Sequence, residues 1–206
     1  MIYLNEIKRM KIVLLVVIIA VVILSLFVHD QIGNNVNNEF ITAMEGKAIA
    51  DEIALNWSAN ASFRGVRKAG EMNNDGTFSS WYYNYWTFTN ASWGTVLEIQ
   101  VFAAGTYEME EIGTGLLIND SVNEIKNWTI DSNEAYEIAL SEPSINSFMA
   151  HNPLLDGFFL ATPDTNLTTS VWHIEWFYDA GFDDPKWAEI KIDANTGEVL
   201  YVEVDD

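Results

Sequence analysis

The stretch from Trp187 to Val204, WAEIKIDANTGEVLYVEV, narrows the possible folds of this 206-residue chain more than any other. Ala188, Ile190 and Ile192 alternate with Glu189, Lys191 and Asp193, the period of two expected of a strand with one buried and one wet face. Val199 to Val204 form a second β-rich run, and DANTGE joins the two. Asp193 can accept hydrogen bonds from backbone N–H groups two or three residues on, Asn195 tolerates a left-handed conformation, and Gly197 supplies positive φ without a Cβ penalty. The end of the chain is therefore expected to be a β-hairpin.

Upstream, Asp131 is a good N-cap for SNEAYEIAL (Ser132 to Leu140), and Glu134 completes a capping box. Ala135, Ile138 and Ala139 give this helix an apolar face, and Pro143 interrupts or restarts it. Phe158 to Ala161 is a short strand candidate. Thr169 to Tyr178 is a clearer one, with Trp172, Ile174, Trp176 and Tyr178 on one face and His173 and Glu175 on the other. Helix, Trp-containing strand and DANTG hairpin, in that order, resemble a PepSY domain over about Asp131 to Asp206. The resemblance implies a small extracytoplasmic α+β module, usually noncatalytic, found in protease propeptides and membrane-anchored proteins and associated with restraint of peptidases. Asp193, Thr196 and Gly197 carry the family's turn motif, and no catalytic residues come with it.

The middle of the chain looks like a drifted copy of the end. WGTVLEIQVFAAGTYEMEE (Trp93 to Glu111) lays over the terminal hairpin with Leu97, Ile99 and Val101 matching Ala188, Ile190 and Ile192, and with Gly105 near Gly197 after one gap. FAAGT replaces the DxxTG signature there, and a chance match of two half-buried hairpins is the competing reading. Before it, Asn38 to Trp57 has helical spacing, with Phe40, Met44 and Ala48 four apart and Ile49 and Ile53 on an adjoining row, although Gly46 weakens the pattern. Asn60 to Gly70 and Phe78 to Phe88 are strand candidates separated by the turn signal NNDG.

Ile12 to Val28 is a seventeen-residue run with no charge and one Ser, at the short end of what spans a bilayer as a helix. Lys8, Arg9 and Lys11 before it and Asp30 after it orient the N-terminus inward. The run exceeds a typical signal-peptide core and lacks a small-x-small cleavage site, which favours an uncleaved anchor. Three of the ten basic residues but only one of the thirty acids, Glu6, precede the run, so the part beyond it carries −22, more than the −20 of the whole chain. Such a surface repels phosphate backbones and excludes nucleic acid as a partner. The absence of cysteine excludes disulfides, thiolate metal sites and cysteine nucleophiles. Three histidines, none in HExxH or paired spacing, leave little zinc chemistry.

The expected architecture is α+β: a cytoplasmic tip and transmembrane anchor (1–29), a polar spacer (30–38), a first PepSY-like unit (39–113), a connector (114–130) and a second unit (131–206). Each unit is expected to pack a helix on a three- or four-stranded antiparallel sheet. The aromatic strand 78–93 offers Trp81, Tyr83, Tyr85, Trp86 and Trp93 as a partner or ligand surface, for stacking on sugars or receiving a peptide, unless the helix and the second unit cover its two faces. Six sequons, at Asn56, Asn60, Asn90, Asn119, Asn127 and Asn166, fit a glycosylated exterior or simply an Asn-rich composition. The acidic loops Asp179 to Pro185 and Asp193 to Glu198 do not match an EF-hand. His173 with Glu175 lacks a nucleophile or third member. Neither an enzyme, a metal nor a cofactor is expected; the expected role is binding or regulation of an envelope peptidase or other protein, with a glycan-binding or structural surface module as the alternative.

Overall fold

The computed structural model describes residues 39–90, 93–116, 124–125, 128–151, 156–163, 170–179 and 185–205. The apolar run Ile12 to Val28 lies outside them, and among the described residues no helix is long and apolar enough to cross a membrane. The elements, in order, are α1 (Ala43–Trp57), β1 (Ser62–Met72), β2 (Phe78–Asn90), β3 (Trp93–Phe102), β4 (Tyr107–Leu116), α2 (Ser132–Ser141), α3 (Pro143–His151), β5 (Asp156–Pro163), β6 (Ser170–Asp179), β7 (Pro185–Asp193) and β8 (Val199–Asp205). The fold is α+β, and every strand pairs antiparallel with its neighbours.

Each half of the chain runs helix first and then a four-stranded meander. The halves do not keep separate sheets, as the sequence led us to expect. Their first strands pair with each other, Val66 opposite Ala161 and Arg67 opposite Leu160, giving one eight-stranded sheet in the order β4-β3-β2-β1-β5-β6-β7-β8. The physical reason is the edge: in each meander alone the first strand would present a row of unpaired N–H and C=O groups, and joining them satisfies both. Leu97, Ile99 and Val101 on β3 and Ala188, Ile190 and Ile192 on β7, the third strand of each half, are all buried. The turns that follow place Gly105 and Gly197 at φ +77° and +74°.

All three helices lie on one face. From the sheet, Trp81, Tyr83 and Tyr85 of β2 and Trp172, Ile174 and Trp176 of β6 fill the core. These rings are so large that α1 approaches on its smallest residues, Ala43, Gly46, Ala50 and Ala54, and not on the Phe40, Met44, Ala48 row that periodicity suggested. Gly46 is explained by the same contact, because a Cβ there would lie 2.2 Å from the Tyr83 hydroxyl oxygen, which donates to the Ala43 carbonyl at 2.7 Å.

The helix N-termini lace the halves together. Thr42 and Glu45 form a capping box on α1, and Asp131 and Glu134 form the expected one on α2. In addition, the Ala43 and Met44 N–H groups donate to Ser132 Oγ at 3.1 Å and Asp131 Oδ1 at 3.0 Å. One carboxylate thus serves orphan donors of two helices. Asp131→Ala should cost about 1 to 2 kcal/mol, the upper range for a lost cap. Urea denaturation would check it, and a loss no larger than that of Thr42→Ala would show that the bond to Met44 adds nothing.

Candidate functional site on the uncovered sheet face

Strand alternation sends every second side chain to the face opposite the helices. The register lines up Glu108, Gln100, Tyr82, Arg67, Leu160, His173, Lys191 and Tyr201, one residue from each strand, in a single row across the sheet. Flanking them are Glu98, Glu110, Glu175, Glu189 and Glu203. The cations here are clipped to rings and carboxylates. The Arg67 guanidinium lies 4.1 Å from the Tyr82 ring centre and 2.8 Å from Glu98 Oε2. Lys191 sits 5.2 Å from the Tyr201 ring centre and 2.9 Å from Glu189 Oε1. Arg64 lies 5.6 Å from the ring centre of Trp86 and 5.4 Å from that of Phe88. Burial lowers the Arg64 pKa, against the opposing pull of Glu124. The Tyr201 hydroxyl donates to Glu203, which pushes its pKa up to about 12. A shallow depression is lined by Tyr82, Glu98, Gln100, Glu108 and Glu110.

His173 and Glu175 share this face, as alternation required, with Nε2 2.9 Å from Glu175 Oε1. Glu189 joins them, its Oε1 2.6 Å from the same nitrogen. The sequence did not flag Glu189, although hairpin alternation had put it on a wet face. What brings it to His173 is the β6–β7 register, with Glu189 opposite Glu175 and Lys191 opposite His173.

The expected aromatic surface is corrected. Trp81, Tyr83 and Tyr85 are only 0%, 0% and 3% exposed and point into the core toward α1. Trp86 alone of the expected set is shown on the uncovered face, half-buried. Trp93 begins β3, but its side chain lies outside the description. The second half does not cover this face either; it extends the sheet sideways.

The DANTG turn proves to be a structural hub. Asp193 Oδ1 accepts from the N–H groups of Asn195 at 2.8 Å and Thr196 at 3.0 Å, and the Gly197 N–H reaches the Asp193 carbonyl at 2.9 Å. The Ala194 carbonyl accepts from Thr129 and Ile130, which pins the turn beneath α2. These bonds occupy Asp193 with turn formation. Most of the other acidic loop, 180–184, lies outside the described residues. Of the sequons, Asn56 and Asn60 are exposed, Asn90 ends β2, and Asn119, Asn127 and Asn166 lie outside the described residues.

The family model described as peptidase propeptide and YPEB domain, PepSY, matches residues 159–203, from within β5 to within β8. Among solved structures the chain is similar to a candidate lipoprotein from Clostridium difficile 630, with 18% sequence identity and a TM-score of 0.50, over 78% of this chain and 93% of that one. At that identity the likeness is one of fold. No curated protein matches the chain. Residues 159–203, the segment that ends in the DANTG hairpin, are a PepSY domain.

Proposed function

We propose that this protein is a noncatalytic, extracytoplasmic regulator, anchored by the Ile12 to Val28 helix with its N-terminus inside the cell, which binds a peptidase or another envelope protein through the uncovered sheet face. The observation that carries the reading is that face itself: half of its row, from Leu160 to Tyr201, falls within the segment that matches the peptidase-propeptide family, and it bears aromatic rings held in place by cations. The solved neighbour's assignment as a lipoprotein supports a place at the membrane surface. The first half is read as a second PepSY-like unit, because it repeats the helix-and-meander order and the glycine turn of the second.

Capture with the ectodomain, residues 31–206, from solubilised envelope of its own source tests the proposal, with mass spectrometry of what is retained. A peptidase should be recovered, and its hydrolysis rate should fall on binding. Tyr82→Ala, in the middle of the row, should weaken capture by about 2 kcal/mol, the scale of an interface hot spot. If no peptidase or envelope protein is retained, or if one is retained equally by the Tyr82 variant, the proposal fails. Trp86, half-buried with Arg64 over its ring, favours a second reading in which the face stacks on a glycan. Recovery of polysaccharide, lost with Trp86→Ala, would establish that one instead.

A further inference from the structure

We propose that His173, Glu175 and Glu189 form a binding site for a borderline divalent transition-metal ion, Zn2+ being the natural test case, on the uncovered face of the sheet. The Nε2 of His173 and one oxygen from each carboxylate lie within 4.8 Å of one another. The oxygens of Glu175 and Glu189 stand 2.9 and 2.6 Å from Nε2. Yet this nitrogen is shut off from solvent and makes no hydrogen bond, because neither oxygen lies where an N–H could point. Contact at hydrogen-bonding distance without hydrogen-bonding direction is the arrangement of ligands converging on a common point. Two carboxylate oxygens crowd the imidazole nitrogen from either side of its lone-pair axis, and a cation on that axis would turn the mutual repulsion of three electron-rich atoms into attraction.

The donor set selects the ion. One imidazole nitrogen and two carboxylate oxygens suit zinc and its neighbours, whereas calcium and magnesium take oxygen throughout. Tetrahedral coordination at the usual bond lengths separates ligand atoms by about 3.3 Å, so the two carboxylate oxygens must draw back from Nε2 by about half an ångström. Glu175, whose side chain is 52% exposed, has the freedom to do so. The strands fix the rest, since Glu189 and Lys191 are paired directly with Glu175 and His173. Exposure on the Glu175 side leaves a coordination position for water or for a donor from a partner. Lys191 is the competitor. Its Nζ lies 2.9 Å from the Glu189 oxygen and must give way when the ion enters. This site is independent of the peptidase reading.

Isothermal titration of the full-length protein in detergent with zinc chloride at neutral pH tests the proposal, with circular dichroism confirming that each variant is folded. One equivalent should bind, and calcium should not compete. His173→Ala and Glu175→Gln should each weaken binding by about 100-fold, since even outer-shell losses cost tenfold or more. Glu175→Gln alters an exposed side chain and keeps the test sound if His173→Ala unfolds. Lys191→Met should tighten binding, a result that a simple salt-bridge network does not predict. Absence of saturable binding would overturn the site. So would zinc affinity unchanged in both ligand variants, which would mark adventitious binding elsewhere on an acidic surface.

Discussion

Trp81→Ala should destabilise the fold by about 3 to 5 kcal/mol, the range for deleting a large buried aromatic side chain. Trp86→Ala, five residues along the same strand, should cost about 1 kcal/mol or less, as expected of a residue outside the core. Trp81 is fully buried, and its Nε1 donates to the Ile41 carbonyl at 3.0 Å, so truncation removes one of the two hydrogen bonds which that carbonyl accepts, the other coming from the Phe78 N–H, as well as opening a cavity. Its ring meets Phe78 edge-on at 4.7 Å and Trp172 of the other half at 6.4 Å. A ring that bridges the halves has no local collapse available to it, which places the loss toward the upper end of that range. Trp86 instead lies on the uncovered face among Arg64 and Phe88. Guanidinium denaturation of both variants is the measurement. Comparable losses would mean that the two faces of β2 are equally covered.

That pair of residues also shows where the sequence ran out. Period-two patterning announces a strand and assigns its faces when large apolar residues occupy one phase only. On β2 both phases are aromatic, Trp81, Tyr83 and Tyr85 on one and Tyr82, Trp86 and Phe88 on the other, so the pattern held no information about which phase α1 would cover. On β6, where Trp172, Ile174 and Trp176 alternate with His173 and Glu175, the faces were legible and lie as expected. Local chemistry was legible for the same reason: the Asp131 cap, the restart at Pro143 and the DANTG turn depend on residues within a few positions of one another. Pairings between distant strands were not. The join of β1 with β5 through Val66 and Arg67 rests on the need to cover two edges, and no sequence period encodes it. The convergence of Glu189 on His173 required a register fixed across β6 and β7. The face of α1 was legible only in part: the expected Ile49 and Ile53 row packs against the core, but the buried positions are Ala43, Gly46, Ala50 and Ala54, small residues that hydrophobic periodicity underweighs.

The β1–β2 turn meets main-chain atoms of α2 so closely that a single added carbon must disturb it. Gly76→Ala should lose about 3 kcal/mol or more, from a backbone held in a disfavoured region and a collision that side-chain rotation cannot relieve. Gly76 has φ +79°, and a Cβ there would come within 2.6 Å of Tyr136 Cβ, 2.8 Å of the Ser132 carbonyl oxygen and 3.1 Å of Asn133 Cα. All three belong to the first five residues of α2, and two are main-chain atoms, so the turn of the first half must lift away from the helix of the second. Tyr136, 5% exposed beneath this turn, would be uncovered with it. Gly105 provides the internal control. Its φ is +77°, nearly the same, but a Cβ there meets nothing within 4 Å. Gly105→Ala should therefore cost only the left-handed penalty, about 1 to 2 kcal/mol. The difference between the two variants in urea denaturation isolates the docking of the two halves from backbone strain, because strain is common to both. A difference near zero would mean that the turn does not seat on α2, and that the halves are joined by the β1–β5 pairing and the helix caps without it.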